Sequence, residues 1–310
     1  MSENPKISIL LPVYNYPDLR PTIDSILSQT FSNFELLICD DGSTPKIDNI
    51  EYIDKRIKFY WNEHNLGLGG TLNKLLSNSN NSSKYFSTIE QDDIYRPYFV
   101  EQSISFLDNH DDYGMVSGLS EFWDGENVTY QFPGLLAKGN DYPDGKDMFL
   151  LNYLHQIKVA QTCMVVRKNI HKDKKLNFST KYHSLSVDWD YILRFSLVSK
   201  IKGLNSIFVR QDRKRDRTSL TKDDFLANNT AKVLLKDFYL EFPHIIKKKD
   251  YKYALSTQLY TELGNLSFFS RMRSLLFQII PLDPDRKRIL NRLKKEIFHL
   301  IHLFMNKEPV

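Results

Sequence analysis

Three carboxylates, Glu90, Asp92 and Asp93, fall within four residues, directly after the apolar run 85–89. Carboxylates this close repel one another unless positive charge sits among them. A hard divalent cation is the common remedy, because Mg2+ and Mn2+ prefer oxygen ligands. Mg2+ in particular is usually held by one or two carboxylates together with the phosphates of a substrate. Two further acidic signals stand apart: Asp40-Asp41 ends the apolar run 34–39, and Asp188 with Asp190 opens a helical pattern. The triad at 90–93 and Asp40-Asp41 both follow strand-like runs, so a parallel α/β sheet brings them to one crevice at the carboxyl ends of its strands. Each signal alone has a plain alternative. Residues 90–93 suit a solvated acidic turn and 40–41 a strand-end turn. Asp188 suits a carboxylate favoured by a helix dipole.

The elements that must carry these groups are legible as apolar periodicity. Residues 6–13 (KISILLPV) form a continuous apolar run, as a fully buried parallel strand does. Pro12 marks where its pairing should stop. Asp18 is placed to N-cap a helix in which Leu19, Ile23, Ile26 and Leu27 share a face. Further strands are expected at 34–39, 57–61, 85–89 and 113–117, and helices from Asn65 to about 78 and over 96–109. This β-α-β alternation with short connections predicts a parallel, doubly wound sheet over roughly the first 118 residues. Residues 119–160 then read as loop-rich, with a hairpin turn at Asp124-Gly125. A buried strand at 161–167, a helix over 188–200 and a strand at 204–209 follow. A basic segment comes next, with Arg210, Arg213, Lys214, Arg215 and Arg217. From about 223 the chain reads as helical, so 1–220 and 221–310 are expected to be separate domains.

Composition sets bounds on function. A chain of 310 residues, 41% hydrophobic and 26% charged, is ordinary for a globular protein with one large domain and an appendage. A net charge of +4 implies no nucleic-acid partner by itself. The two cysteines, Cys39 and Cys163, each lie in an apolar run and read as buried thiols of a reducing compartment. No signal-peptide pattern and no apolar run of membrane-spanning length is seen, which predicts a cytoplasmic protein.

Five short motifs occur in order. They are Pro12-Val13-Tyr14-Asn15, Asp40-Asp41-Gly42-Ser43, Asn65-Leu66-Gly67 with Asn73, Glu90-Gln91-Asp92-Asp93, and Val187-Asp188-Trp189-Asp190 followed by Leu193-Arg194. Together they resemble the motifs of family 2 glycosyltransferases over about residues 5–220. The resemblance implies the GT-A fold: α/β, with a doubly wound, mostly parallel sheet, helices on both faces and, here, a helical C-terminal extension. It also implies roles. Pro12, Tyr14 and Asp40 would line the nucleoside pocket, with Asp41 beside them. Asn65, Gly67 and Asn73 would shape the wall near ribose and diphosphate. Asp92 would hold a Mn2+ or Mg2+ ion, with Glu90, Gln91 and Asp93 around the donor, Arg210 near the diphosphate and Asp188 as catalytic base. The partners implied are a nucleotide-sugar, most commonly a UDP-sugar, and a glycan acceptor: a surface polysaccharide, a lipid-linked oligosaccharide or a protein-bound glycan.

The chain departs from that pattern in places. Glu90 stands for the usual Asp, Val187 for an acidic residue, and Asp212 for a common His. The processive Gln-x-x-Arg-Trp motif is not matched, since Gln211-Asp212-Arg213-Lys214-Arg215 has no Trp, so one sugar per event is expected. Ser219 and the basic run at 210–217 are candidates to close over a diphosphate, or form a plain surface loop. A nucleotidyltransferase would want a Gly-rich loop after the first strand, where this chain has Tyr14-Asn15-Tyr16. A dinucleotide oxidoreductase needs G-x-G-x-x-G there; Gly67-Leu68-Gly69-Gly70 follows the third strand with the wrong spacing. A non-catalytic sugar-binding protein would not need the acidic cluster. Near the C-terminus, Leu290, Leu293, Ile297, Leu300 and Phe304 form an apolar stripe beside a cluster of Arg and Lys. Docking on the rest of the chain, self-association and contact with the inner face of the cell membrane all suit that stripe. We expect this region to serve placement, not chemistry.

Overall fold

β1 (Ile7–Val13) is the strand on which the sheet is laid down. Every residue but Pro12 is buried, and parallel partners flank it: β2 (Phe34–Asp40) on one side and β4 (Tyr85–Thr88) on the other. In this computed structural model the chain forms two compact units, 1–149 with 157–222 and 150–156 with 223–310. The structure describes residues 4–16, 18–47, 52–132, 142–156, 159–182, 184–212, 224–283 and 285–305. Arg213 to Arg217 and Ser219 lie outside these residues, as does part of the expected loop region before 160.

The first unit holds a nine-stranded sheet in the order β3 (Ile57–Trp61), β2, β1, β4, β8 (Val165–Arg167), β6 (Tyr113–Trp123), β9 (Lys200–Asp212), β5 (Asp93–Tyr95), with β7 (Val128–Phe132) also paired to β6. The first four of these strands are parallel, as the apolar runs predict. The continuation differs. β8 lies antiparallel between β4 and β6, β5 and β7 are antiparallel to their partners, and β6 pairs in parallel only with β9. The sheet is therefore mixed, an α/β fold with fewer parallel pairs than expected. An apolar run signals burial on both faces but not which neighbour a strand will have.

Alternation along β1 divides the two faces. Ile7, Ile9, Leu11 and Val13 join Leu36 and Ile38 in one core with Ile23 and Ile26 of α1 (Arg20–Leu27) and Phe99, Val100, Ile104 and Leu107 of α3 (Phe99–Asn109). α2 (Gly67–Asn78) packs on β1 and β2 with Leu72 and Leu75 fully buried. Asp18 is not the α1 cap: Leu19 takes that position with no side-chain cap, and a proline in the first turn starts the helix instead. Pro12 also remains in register with Cys39 of β2, while pairing to β4 stops at Leu10. The missing N–H thus falls where the second neighbour has already left. The expected strand 161–167 is a short 3-10 turn at Gln161–Cys163 followed by β8. The β6–β7 hairpin turns at Asp124, whose Oδ1 accepts from the amides of Glu126 and Asn127. α4 (Gly145–His155), in the expected loop region, was not foreseen.

α5 (Lys168–Asp173) and α6 (Val187–Ser196) are held by an aromatic cluster. Phe178 stacks on Tyr191 at 4.4 Å, and His171 meets both Tyr191 and Phe86. Burial, with Lys168 and Lys172 adding to it, pushes the His171 pKa down to about 4 from 6.5. The folded state therefore refuses a proton that the unfolded chain accepts. This contribution is fully present above about pH 6.5 and is lost as pH falls toward 4, up to about 3 kcal/mol. Urea unfolding of the parent and His171→Gln across this window is expected to show a shallower pH slope in the variant. Equal slopes would remove His171 from the acid sensitivity.

The second unit is helical: α7 (Asp224–Glu241), α8 (Lys248–Glu262), α9 (Phe268–Ser274) and α10 (Arg286–Met305). One small cluster gathers Leu263, Leu275 and Ile279, with Leu259, Tyr260 and Leu293 against them, and Leu234, Leu235, Phe238 and Ala254 are also buried in this unit. The side chains of Leu300 and Phe304 lie outside the described residues. Among the described residues no helix is long and apolar enough to cross a membrane.

Candidate functional site

The acidic loop leaves the sheet at the carboxyl end of β4, between β4 and β5. One oxygen from each of Glu90, Asp92 and Asp93 lies within 4.8 Å of the others. Asp93 is buried where β5 pairs with β9, opposite Gln211. The Glu90 amide donates to the Thr162 hydroxyl at 3.4 Å, so the 3-10 turn before β8 underpins the loop. Gln91 points the other way. Its Oε1 accepts from the Tyr14 amide at 2.8 Å and its Nε2 donates to the Tyr14 carbonyl, while the Thr22 hydroxyl donates to the Gln91 carbonyl. The acidic loop is thereby fastened to the end of β1. An all-oxygen donor set of this compactness fits a hard divalent ion.

The loop after β2 is built around two buried carboxylates. Asp40 Oδ1 accepts from the Ser43 amide and Oδ2 from the Ile47 amide, both at 3.0 Å. Asp41 Oδ1 accepts from Asn62 Nδ2 at 2.7 Å and from the Leu66 amide at 2.8 Å. The pair therefore shapes the 40–47 turn and ties it to the loop that opens α2. Gly42 has φ +75°, and a Cβ there would strike the His64 and Asn65 backbone. Asn15, at φ 49°, closes the same corner: its amide donates to Ser43 Oγ and its Oδ1 accepts from the Thr44 amide.

The start of α2 grips a distant segment. Asn65 Oδ1 accepts from the Gly67 amide, and the Leu68 amide donates to Ser184 Oγ at 2.8 Å. Asn73 spans the backbone of Phe178 with both ends of its amide, at 2.8 and 3.0 Å. These contacts fix the run that leads into α6, whose first turn carries Asp188, half-buried, and Asp190, buried. Asp190 is spoken for, since both its oxygens accept from Arg194 Nε at 3.2 Å. The fit at Gly69 is the tightest of the set: a Cβ would lie 2.2 Å from the Ser179 carbonyl oxygen. Gly69→Ala must displace that backbone, so it is expected to cost about 1–3 kcal/mol in chemical unfolding, as overpacking does. Gly264→Ala, with open space around its Cβ, serves as the control and should unfold like the parent. Equal stability of the two variants would dismiss the brace.

On the far edge, Arg210 lies over the Trp123 ring at 4.4 Å, and Arg96 pairs with Glu121 of β6. Burial raises the Tyr16 hydroxyl pKa, with Asp92, Asp212, Asp18 and Asp93 adding to it; Asp212 follows Gln211, the β9 residue paired with Asp93. Gln91, Asn73, Asp40 and Asp41, expected at the donor, make these contacts with the protein's own backbone and with Asn62. Ser184, Thr162, Trp123 and Tyr16 carry parts of this region and had no signal of their own in the sequence. Each acts with a partner remote along the chain or through a ring that local patterns do not distinguish.

Comparison with known proteins completes the description. The sequence profile described as glycosyl transferase family 2 matches residues 8–173. An uncharacterized glycosyltransferase of Haemophilus influenzae is 29% identical over 195 residues, covering 59% of this chain and 58% of that one. The Escherichia coli UDP-Glc:alpha-D-GlcNAc-diphosphoundecaprenol beta-1,3-glucosyltransferase is 35% identical over 104 residues, covering 33% of this chain and 40% of that one. The matches therefore span less than two thirds of either relative. Among solved structures, S. aureus TarS 1-349 in complex with UDP-GlcNAc superposes with a TM-score of 0.60 at 17% identity, covering 88% of this chain and 76% of that one. At that identity the likeness speaks for the fold alone.

Proposed function

The chain belongs to glycosyl transferase family 2 and is a glycosyltransferase, and on that footing we propose that it moves one sugar from a UDP-sugar to a hydroxyl of a glycan acceptor, with inversion at the anomeric carbon. The observation that carries this reading is the compact carboxylate triad at the carboxyl end of β4, fastened by Gln91 to the end of β1. A divalent ion held there by Asp92, with Glu90 and Asp93 beside it, would supply positive charge to the departing diphosphate. Mn2+ or Mg2+ suits the oxygen donors. The E. coli relative is named for a UDP-Glc donor and TarS was solved with UDP-GlcNAc, which supports uridine as the base.

The remaining roles belong to the chain's own groups. Tyr14, 43% exposed at the end of β1, and Pro12, with the 40–47 turn that Asp40 and Asp41 hold, form the nucleoside end. The braced run 178–186 sets Asp188 in the first turn of α6, where its carboxylate takes the acceptor proton as the hydroxyl attacks. Attack opposite the leaving group inverts the configuration in one step. Residues 1–220 would then hold the chemistry and 221–310 its placement. The buried free thiols of Cys39 and Cys163 suit a cytoplasmic protein.

The test is a panel of nucleotide-sugars with and without Mn2+, read by thermal shift and by release of free nucleoside diphosphate. UDP-sugars are expected to raise the unfolding temperature only with the metal and to release UDP. Stabilisation by another base with none by uridine would overturn the donor assignment.

A further inference from the structure

α10 is inside out for a helix of a water-soluble domain. Such helices bury an apolar stripe and expose their charges. Here the face turned inward carries Arg288, Arg292 and Glu296 together with Ile289 and Leu293. Glu296 is buried and accepts from Arg271 Nε at 3.0 Å and from Arg292 Nη2 at 2.8 Å. Arg288 lies over Tyr260 and Tyr253 at 4.3 and 4.9 Å and donates to Thr257. The inward charges are thus paired and fixed. The outward face shows Leu290 at 52%, Ile297 at 51% and Phe298 at 70% exposure. At 100° per residue these three fall on one arc, and Lys287 and Lys294, both exposed, lie within it.

We propose that this outward face of α10 lies on an anionic lipid surface, with Leu290, Ile297 and Phe298 entering the headgroup boundary and Lys287 and Lys294 reaching to lipid phosphates. Interleaved aliphatic, aromatic and lysine side chains with no acidic residue among them match that environment, because lysine stems pack along apolar surface while their charged ends stay at the polar layer. The charge balance decides against a second copy as the occupant. The exposed charges from 285 to 295 are Arg286, Lys287, Lys294 and Lys295 against Asp285 alone. Two such faces meeting would bring like charges together, whereas an anionic bilayer pairs them. More apolar surface stands out nearby in the chain at Phe269 and Phe277, 83% and 75% exposed. The inference stands apart from the donor and metal assignments.

The experiment uses the full chain and vesicles of phosphatidylcholine alone or mixed with phosphatidylglycerol. Sedimentation is expected to carry the protein down with the mixed vesicles, weakly with phosphatidylcholine, and less as salt rises. Leu290→Ser with Phe298→Ser should lower partition by about tenfold or more, from the lost apolar burial. Lys287→Glu with Lys294→Glu should lower it on the mixed vesicles only. All four positions are exposed, and an unchanged circular dichroism spectrum and unfolding midpoint would show that each variant is folded. No partition of the parent, or equal partition of parent and variants, would overturn the proposal. So would a dimer seen by light scattering that the serine variant loses, because a second copy would then cover the face.

Discussion

Replacing Asp92 with alanine is expected to abolish sugar transfer and to remove metal-dependent binding of nucleoside diphosphate. Asp92 belongs to the stretch between β4 and β5 and is partly exposed, whereas Asp93 is buried in the β5–β9 pairing and owes its position to the sheet. Asp92, unlike Asp93, is therefore open to both an ion and a substrate phosphate. Charge stabilisation by a metal is worth several kcal/mol in a transition state. At about 1.36 kcal/mol per decade, its loss predicts a fall in turnover of roughly 10³-fold or more. Calorimetry with UDP, with and without Mn2+, separates this from misfolding. The parent should show heat that depends on the ion, and Asp92→Ala should show none while keeping the parent's unfolding midpoint. Unchanged metal-dependent heat in the variant would sink the assignment.

Asp188→Asn preserves shape and removes the carboxylate proposed as proton acceptor. Turnover is expected to fall by about 10²–10⁴, the usual contribution of a general base, with donor affinity nearly unchanged. The split matters, because a merely structural residue would move both. Asp190 is a poor substitute for the role, since its carboxylate is buried and already bound to the Arg194 guanidinium. NMR of the product of the parent enzyme should show an anomeric configuration opposite to that of the donor. Near-normal turnover of Asp188→Asn would place the base elsewhere, and retained configuration would discard the single-displacement reading altogether.

Much of the first unit was legible because its signals are local. Continuous apolar runs mark β1, β2 and β4 as doubly covered strands, and they pair in parallel. The acidic triad was visible for the same reason, as three neighbouring carboxylates. What stayed hidden is relational. Nothing in the run 161–167 says that β8 will reverse direction and part β4 from β6. Nothing near Gln91 or Asn73 says that their amides will grip main chain 77 and 105 residues away. A side-chain amide that pairs with a backbone leaves no pattern, because every residue type but proline supplies the same N–H and C=O. The helix α10 shows the same limit. Its apolar stripe is plain in the sequence, but Leu293 packs on the core while Leu290 and Ile297 stay exposed, and ion pairs share the inward face.

The grip of Gln91 on Tyr14 has a practical corollary. It reads only peptide atoms, so these hydrogen bonds do not depend on the phenol ring. Position 14 is therefore a replaceable fitting on a fixed mount. A library that randomises residue 14 and leaves Gln91 untouched should return mostly folded members, whose preferences among nucleotide bases differ on the proposed nucleoside role of Tyr14. Randomising Gln91 instead should return members that share one defect, a loosened acidic loop, whatever base they are offered. Altered donor choice is thus best sought by changing the side chain that is held, and not the one that does the holding.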